Sequence, residues 1–98
     1  MNIQAMMKQA QKMQKDMMDA KKEIDAKDFE ITKSFVTIKM KGNKTITEVI
    51  INEENLEKED IEMLQDLILV ATNELMEIID TETEVKMGKF TQGMPGLF

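Results

Sequence analysis

Lys8, Lys12 and Lys15 stand close to the start of a 98-residue chain, separated by four and then three residues. On a helix these are i, i+4 and i+7 positions and share one face. A row of ammonium groups suits a row of phosphates. Gln9, Gln11 and Gln14, set between the lysines, add neutral donors that reach phosphate oxygens or base edges. The plain alternative is a solvated lysine face. No acid precedes Asp16, although the chain carries a formal charge of -6. Residues 1–47 hold ten lysines and six acids, whereas residues 48–98 hold three lysines and thirteen acids. Such asymmetry permits a positive surface on an acidic molecule. Lys33, Lys39 and Lys41 are expected to form a second cluster on one sheet face, with Lys44 in the turn that follows.

The absent residue types exclude most other chemistry. There is no His, Cys, Tyr, Trp or Arg. Zinc sites of His or Cys, Ser–His and Cys–His nucleophile pairs and disulfides are therefore impossible. Ser34, the only serine, has no base to activate it. Asp80, Glu82 and Glu84 are spaced i, i+2 and do not face one another on a helix. Val85 occupies the position where a calcium loop needs glycine. No glycine-rich phosphate loop occurs. The chain is expected to be no enzyme, with no metal, cofactor or small-molecule substrate. Lysine without arginine favours point-charge contact with phosphate over bidentate reading of guanine. None of the four Phe lies among the lysines of the first helix, so no base-stacking platform is expected there.

The elements that must position the lysines follow from periodicity. Ile3, Met6, Ala10, Met13, Met17, Ala20 and Ile24 recur at alternating steps of three and four, an unbroken heptad seam. A long first helix is expected over residues 1–27. Residues 29–52 alternate apolar and polar side chains, which predicts strands at 29–32, 36–41 and 45–52 in an antiparallel meander. Gly42-Asn43 is placed in the second turn as a pair tolerant of positive φ. An acidic connection with capping candidates Asn55 and Asp60 leads to a second helix over residues 60–87. Leu64, Ile68, Ala71, Leu75, Ile78 and Val85 mark its apolar stripe, widened by Leu67, Val70 and Ile79. The run "DTETEVK" is expected in solvent, Gly88 is expected to end the helix, and 88–98 reads as a flexible tail. The longest apolar run, residues 67–71, is far shorter than the ~20 residues of a membrane helix, and no signal peptide is visible. No membrane partner and a cytoplasmic location are expected.

The fold class is therefore α+β, in the order α-β-β-β-α, as a single domain over residues 1–98. The first-helix seam finds a partner in its own chain only at the far end of the second helix. The second helix is apolar on two sides, and one small sheet covers only one. A second copy relieves both surpluses, so the seam residues are expected to serve the core or a homodimer. The methionines Met6, Met7, Met13, Met17 and Met18 also suit an adaptable protein-binding surface. A dimeric interaction module that holds a protein partner with these Met-rich helices is the alternative function.

The stretches "MKQAQKMQKDM", "EVIIN", "DIEMLQDLILVATNELMEII" and "KMGKFTQGMPGLF", in that order, resemble the YbaB/EbfC family of bacterial nucleoid-associated proteins over nearly the whole chain. The resemblance implies an intertwined homodimer with helices projecting like tweezers. It implies binding to duplex DNA in the nucleoid, for its organisation or for gene regulation. Carried onto this sequence, the DNA-binding residues are Lys8, Gln9, Gln11, Lys12 and Lys15 on the first helix, with Lys86 and Lys89 near the tail. Many members have a glycine-rich turn between the first two strands. Here the connection is only "TKS" and is expected to be tight.

Overall fold

The computed structural model describes residues 2–91. The order is α1 (Ile3–Ala26), β1 (Asp28–Lys33), β2 (Val36–Lys41), β3 (Ile46–Ile51), a 3-10 turn at Lys58–Asp60, and α2 (Ile61–Thr91). This is the expected α-β-β-β-α arrangement. The strands form one antiparallel sheet in the order β1-β2-β3. The expected tail falls mostly on residues 92–98, which lie outside the described residues.

The core is made where α2 crosses β1 and β2. Val36, Ile38 and Met40 alternate along β2 and point to one face, where each is fully buried. Phe29 and Ile31 of β1 stand opposite Met40 and Ile38 on that same face. Ala71, Leu75 and Ile79, one turn apart on α2, close over them, with Leu64, Leu67, Ile68 and Met76 at the margin. Ile78 and Val85 of the expected stripe fall outside this core; Val85 is 77% exposed. The true stripe steps by four from Ala71 to Ile79, and Ile78 lies one residue, roughly 100° of arc, away from Ile79.

The first turn is as expected, and the second departs from its glycine-based expectation. Lys33 pairs with Val36, so Ser34 and Phe35 alone make the first turn, as tight as expected. Ser34 has φ 52, a left-handed value that a non-glycine residue adopts at a cost. In the second turn positive φ falls not on Gly42-Asn43 but on Lys44, at φ 70. Gly42 is there for space. A Cβ on it would sit 1.7 Å from the carbonyl oxygen of Ile24. In β3, Lys39 opposes Glu48 and Met40 opposes Ile46, which leaves Thr47 as the extra residue of a bulge. The bulge puts Ile46, rather than Thr47, in line with Val49 and Ile51.

α2 starts within one residue of the expected position but ends beyond it. The caps at its start come from the 3-10 turn, where the Glu57 amide donates to Asp60 Oδ2 and the two residues form a reciprocal box. Asn55 plays no capping part. The helix then passes through Gly88 and runs to Thr91. Glycine costs about 1 kcal/mol in a helix, and Met87 and Phe90, buried on either side of it where α2 runs beside α1, offset that cost.

Replacement of Ser34 by glycine removes the left-handed strain without loss of any packed side chain. Urea unfolding of Ser34→Gly is expected to show a gain of about 0.5–1 kcal/mol with an unchanged m-value.

Candidate nucleic-acid interface

α1 and α2 run antiparallel over a short stretch only. Lys27 pairs with Glu82 and Lys86 with Glu23, so ascending positions on one helix meet descending positions on the other. Beyond this overlap α1 projects as a free arm. Every residue from 2 to 16 is exposed, and burial starts at Met17 and Ala20 and becomes complete at Ile24. At 1.5 Å per residue the bare part is about 20 Å long. Its residues Met, Lys, Gln and Ala are good helix formers, and the Asn2 side chain caps it by accepting from the Ala5 amide at 3.2 Å. The outer end is the N-terminus of the helix, the positive pole of its dipole. No acid occupies the first turn.

The lysines divide sharply by environment. Lys33, Lys39, Lys41 and Lys44 are engaged with Glu74, Glu48, Asp28 and Asp80 at 2.6, 3.4, 2.6 and 2.6 Å. The expected second cluster therefore does not exist as a free basic surface. Nor do its members share a face. Lys33 stands opposite Val36 on the α2 side, while Lys39 and Lys41 point the other way, because the two-residue turn puts odd-numbered positions of β1 and β2 on opposite faces. Lys39 sits in register between Glu30 and Glu48. Lys21 and Lys27 are also paired, with Asp25 and Glu82. Lys86, placed near DNA by resemblance, donates to Glu23 at 3.1 Å and braces the two helices. The "DTETEVK" run, expected in solvent, supplies Asp80, Glu82 and Lys86 to these braces.

Lys8, Lys12, Lys15 and Lys22 have no ion pair among the described residues. All four lie on α1, within about 80° of arc on the side opposite the seam that meets α2. Lys22 extends the stripe by one heptad beyond Lys15. Sequence reasoning overlooked it, although the spacing 8, 15, 22 was readable. Asp19 interrupts the stripe between Lys15 and Lys22. Gln11 stands beside Lys15, and with Gln14, Met18, Asp19 and Lys22 they line a shallow groove along the arm. Gln9 lies at the other edge, next to the seam. Of the two lysines at the end of α2, Lys89 rests its ammonium over the Phe90 ring, 5.0 Å from the centroid.

Ile3, Met6, Ala10 and Met13 of the seam stay exposed on the arm, while Met17, Ala20 and Ile24 face α2. On α2, Leu64, Ile68, Ala71 and Leu75 turn to the sheet, and Ile78 does not.

The structure is thus a small α+β body from which a helix with an unpaired lysine face projects. The sequence pattern of the YbaB/EbfC DNA-binding family matches residues 1–94. A nucleoid-associated protein of Enterococcus faecalis is 45% identical over 97 residues, which cover 97% of this chain and 93% of that protein. One from Listeria monocytogenes is 51% identical, over 98% of this chain and 95% of its own. A third, from Ligilactobacillus salivarius, is 42% identical over 99% of this chain and 95% of its own. The chain belongs to the YbaB/EbfC family of DNA-binding proteins, which is not a family of enzymes.

Free and paired lysines should behave differently. Single replacements Lys8→Gln, Lys12→Gln, Lys15→Gln and Lys22→Gln are each expected to reduce the slope of log affinity for duplex DNA against log salt by about 1 for each arm in contact. Lys39→Gln and Lys41→Gln are expected to leave it unchanged.

Proposed function

We infer that this chain is a nucleoid-associated protein that acts as a homodimer. It contacts duplex DNA through the lysine faces of its α1 arms, with little reading of sequence, and so contributes to organisation of the nucleoid or to gene regulation in the bacterial cytoplasm. The observation that carries this reading is the segregation of lysines. Those on the sheet and at the helix joint are matched to carboxylates. Lys8, Lys12, Lys15 and Lys22 have no ion pair among the described residues, and they lie on the element that stands clear of the acidic body. A cationic stripe of about 20 Å tracks several phosphates along a duplex, where each strand presents one every ~3.4 Å of axis. Lysine is a point charge on a flexible stem and fits phosphates without fixing base identity. Gln9 and Gln11 add neutral contacts to backbone or base edges.

Lys89 is the C-terminal candidate in this scheme. Lys86 joins only by exchanging Glu23 for a phosphate. The acids of α2 and of the connection before it repel DNA from the body, which confines contact to the arms.

The intertwined homodimer is supported by two apolar surfaces left exposed among the described residues. Ile46, Val49 and Ile51 of β3 face the same side as the core yet are 41–46% exposed, because α2 lies over β1 and β2. Leu69 and Val70 of α2 are more exposed still. Two apolar surfaces on one small domain fit a two-fold contact between copies. A second reading, in which the Met-rich helix holds a protein partner, has the exposed Met6, Met7, Met13 and Met18 in its favour. It leaves the free lysine stripe without a role.

Gel-shift measurements with unrelated duplexes at two salt concentrations test the DNA reading. Affinity is expected to fall with a slope of about 0.9 per phosphate neutralised. Lys8→Glu/Lys12→Glu/Lys15→Glu is expected to abolish binding while light scattering still reports a dimer. A flat salt response, or binding that survives the triple change, rules the mechanism out. Val49→Asp is expected to give monomers by the same light-scattering measurement and weaker DNA binding, since one arm alone makes about half the contacts.

A further inference from the structure

The root of the α1 arm is held in an unusual way. A helix leaves its last four carbonyls without helical partners, and a glycine just past the end commonly satisfies them from within the same chain segment. Here Lys27 follows the helix in an extended conformation, with φ -69 and ψ 141, and its amide donates to the Ile24 carbonyl. The other bonds come from a distant turn, residues 42–44, between β2 and β3. The Asn43 amide donates to the Asp25 carbonyl at 3.2 Å, and the Gly42 amide donates to the Lys27 carbonyl at 2.9 Å. Gly42 is buried against the last turn of α1, and a Cβ there would meet the Ile24 carbonyl oxygen at 1.7 Å, its carbon at 2.7 Å and the Asp25 Cα at 3.3 Å. All three are backbone atoms of the helix or its end and have no side-chain rotamer by which to move aside.

The turn itself is tied on both sides. Its Lys44 amide donates to the Lys41 carbonyl, and the Thr45 amide donates to Asn43 Oδ1. The Lys44 ammonium meets Asp80 on α2 at 2.6 Å. Lys44 keeps its left-handed φ of 70 in making this bridge. The second hairpin turn is thereby a fixed seat between the sheet, α2 and the end of α1.

We propose that Gly42 is a positioning residue for DNA binding: the turn it occupies is the seat that sets the direction of the α1 arm, and only a residue without a side chain lets the arm lie at its working angle. This rests on the reading of α1 as the DNA-contacting element. Lys8 is 16 residues from Ile24, or roughly 24 Å along the helix, so a tilt of about 10° at the root carries it about 4 Å sideways. That is more than the distance over which an ammonium–phosphate contact is made or lost. A methyl group on Gly42 must push the helix end away by roughly 2 Å to reach ordinary contact, which tilts the arm and leaves its lysines intact.

Gly42→Ala compared with Gly88→Ala is the test. Both exchange glycine for alanine, but a Cβ on Gly88 meets nothing within 4 Å. The cysteine-free chain accepts paired spin labels at Gln4→Cys and Glu77→Cys, read after dilution with unlabelled protein so that only distances within one chain count. Gly42→Ala is expected to keep the mass and circular dichroism of the parent and to shift the label distance by several ångström. It is expected to lower DNA affinity about tenfold and to flatten its salt slope. Partial unfolding alone would lower the active fraction and leave the slope of the remaining molecules unchanged. Gly88→Ala is expected to match the parent in every measurement. An unchanged label distance in Gly42→Ala overturns the proposal, as does a changed distance with unaltered affinity and slope. If the lysine triple variant binds DNA like the parent, the arm reading fails instead, and the label distance still reports whether the seat aims the helix. Should Gly42→Ala not fold, hydrogen exchange of the parent decides: the Gly42 and Asn43 amides are expected to be as protected as those of β2, and exchange at the rate of a free loop overturns the seat.

Discussion

One helix cannot cover three strands. Neighbouring strands lie about 4.8 Å apart, and a helix with its side chains is roughly 10 Å across. α2 therefore buries the inner faces of β1 and β2, where Val36, Ile38 and Met40 are completely enclosed, and leaves that of β3 open. Most of the architecture follows from this shortfall. The first helix is not available to close the gap, because its root is seated on the second hairpin turn and its axis leads away from the sheet. The Cα atoms accordingly spread over 72 × 21 × 13 Å, a long shape for so short a chain. The molecule has a small core, a strand left open on its inner face and an exposed arm.

The ion pairs are better understood as charge management than as a source of stability. Pairs as exposed as Lys41–Asp28 or Lys44–Asp80 contribute little, about 0–1 kcal/mol each. Their effect is to cancel positive charge wherever α2, the sheet and the helix root come together. What remains unpaired on the arm is a stripe of ammonium groups beside a helix terminus of the same sign. An acidic protein can in this way offer a local positive field without becoming sticky to anions everywhere else.

Much of the fold was legible because its signals are periodic. The step of two in "FVTIKM" and the turn that follows it determine β2 and its burial, and the seam from Ile3 to Ile24 declares the first helix. Contacts between distant segments were not legible in the same way. Gly42 looks like a residue chosen for backbone freedom, and only the folded chain reveals a helix carbonyl in the place of its missing side chain. Lys33, Lys39 and Lys41 look like a cluster until the two-residue turn settles which face each takes and which carboxylate stands opposite. Gly88 reads as a stop signal, yet packing of Met87 and Phe90 overrides a local preference of about 1 kcal/mol. For the candidate interface, the spacing of Lys8, Lys12 and Lys15 was enough to put them on one face of α1. That their charges are free, and that those of the sheet are not, depends on partners brought in by topology.

The bare half of α1 has one more consequence. With every residue from 2 to 16 exposed, its helicity depends largely on hydrogen bonds within the arm, the Asn2 cap and the support of its anchored root. Isolated helices of this length are marginal in water and lose order on warming. The body, held by a packed core, melts cooperatively. Heat should therefore take the protein apart in two stages, the arm fraying first while the sheet and α2 remain folded. With DNA held by the arms as proposed, binding would be lost well below the temperature at which the body unfolds, and the working range would be set by the least stable helix.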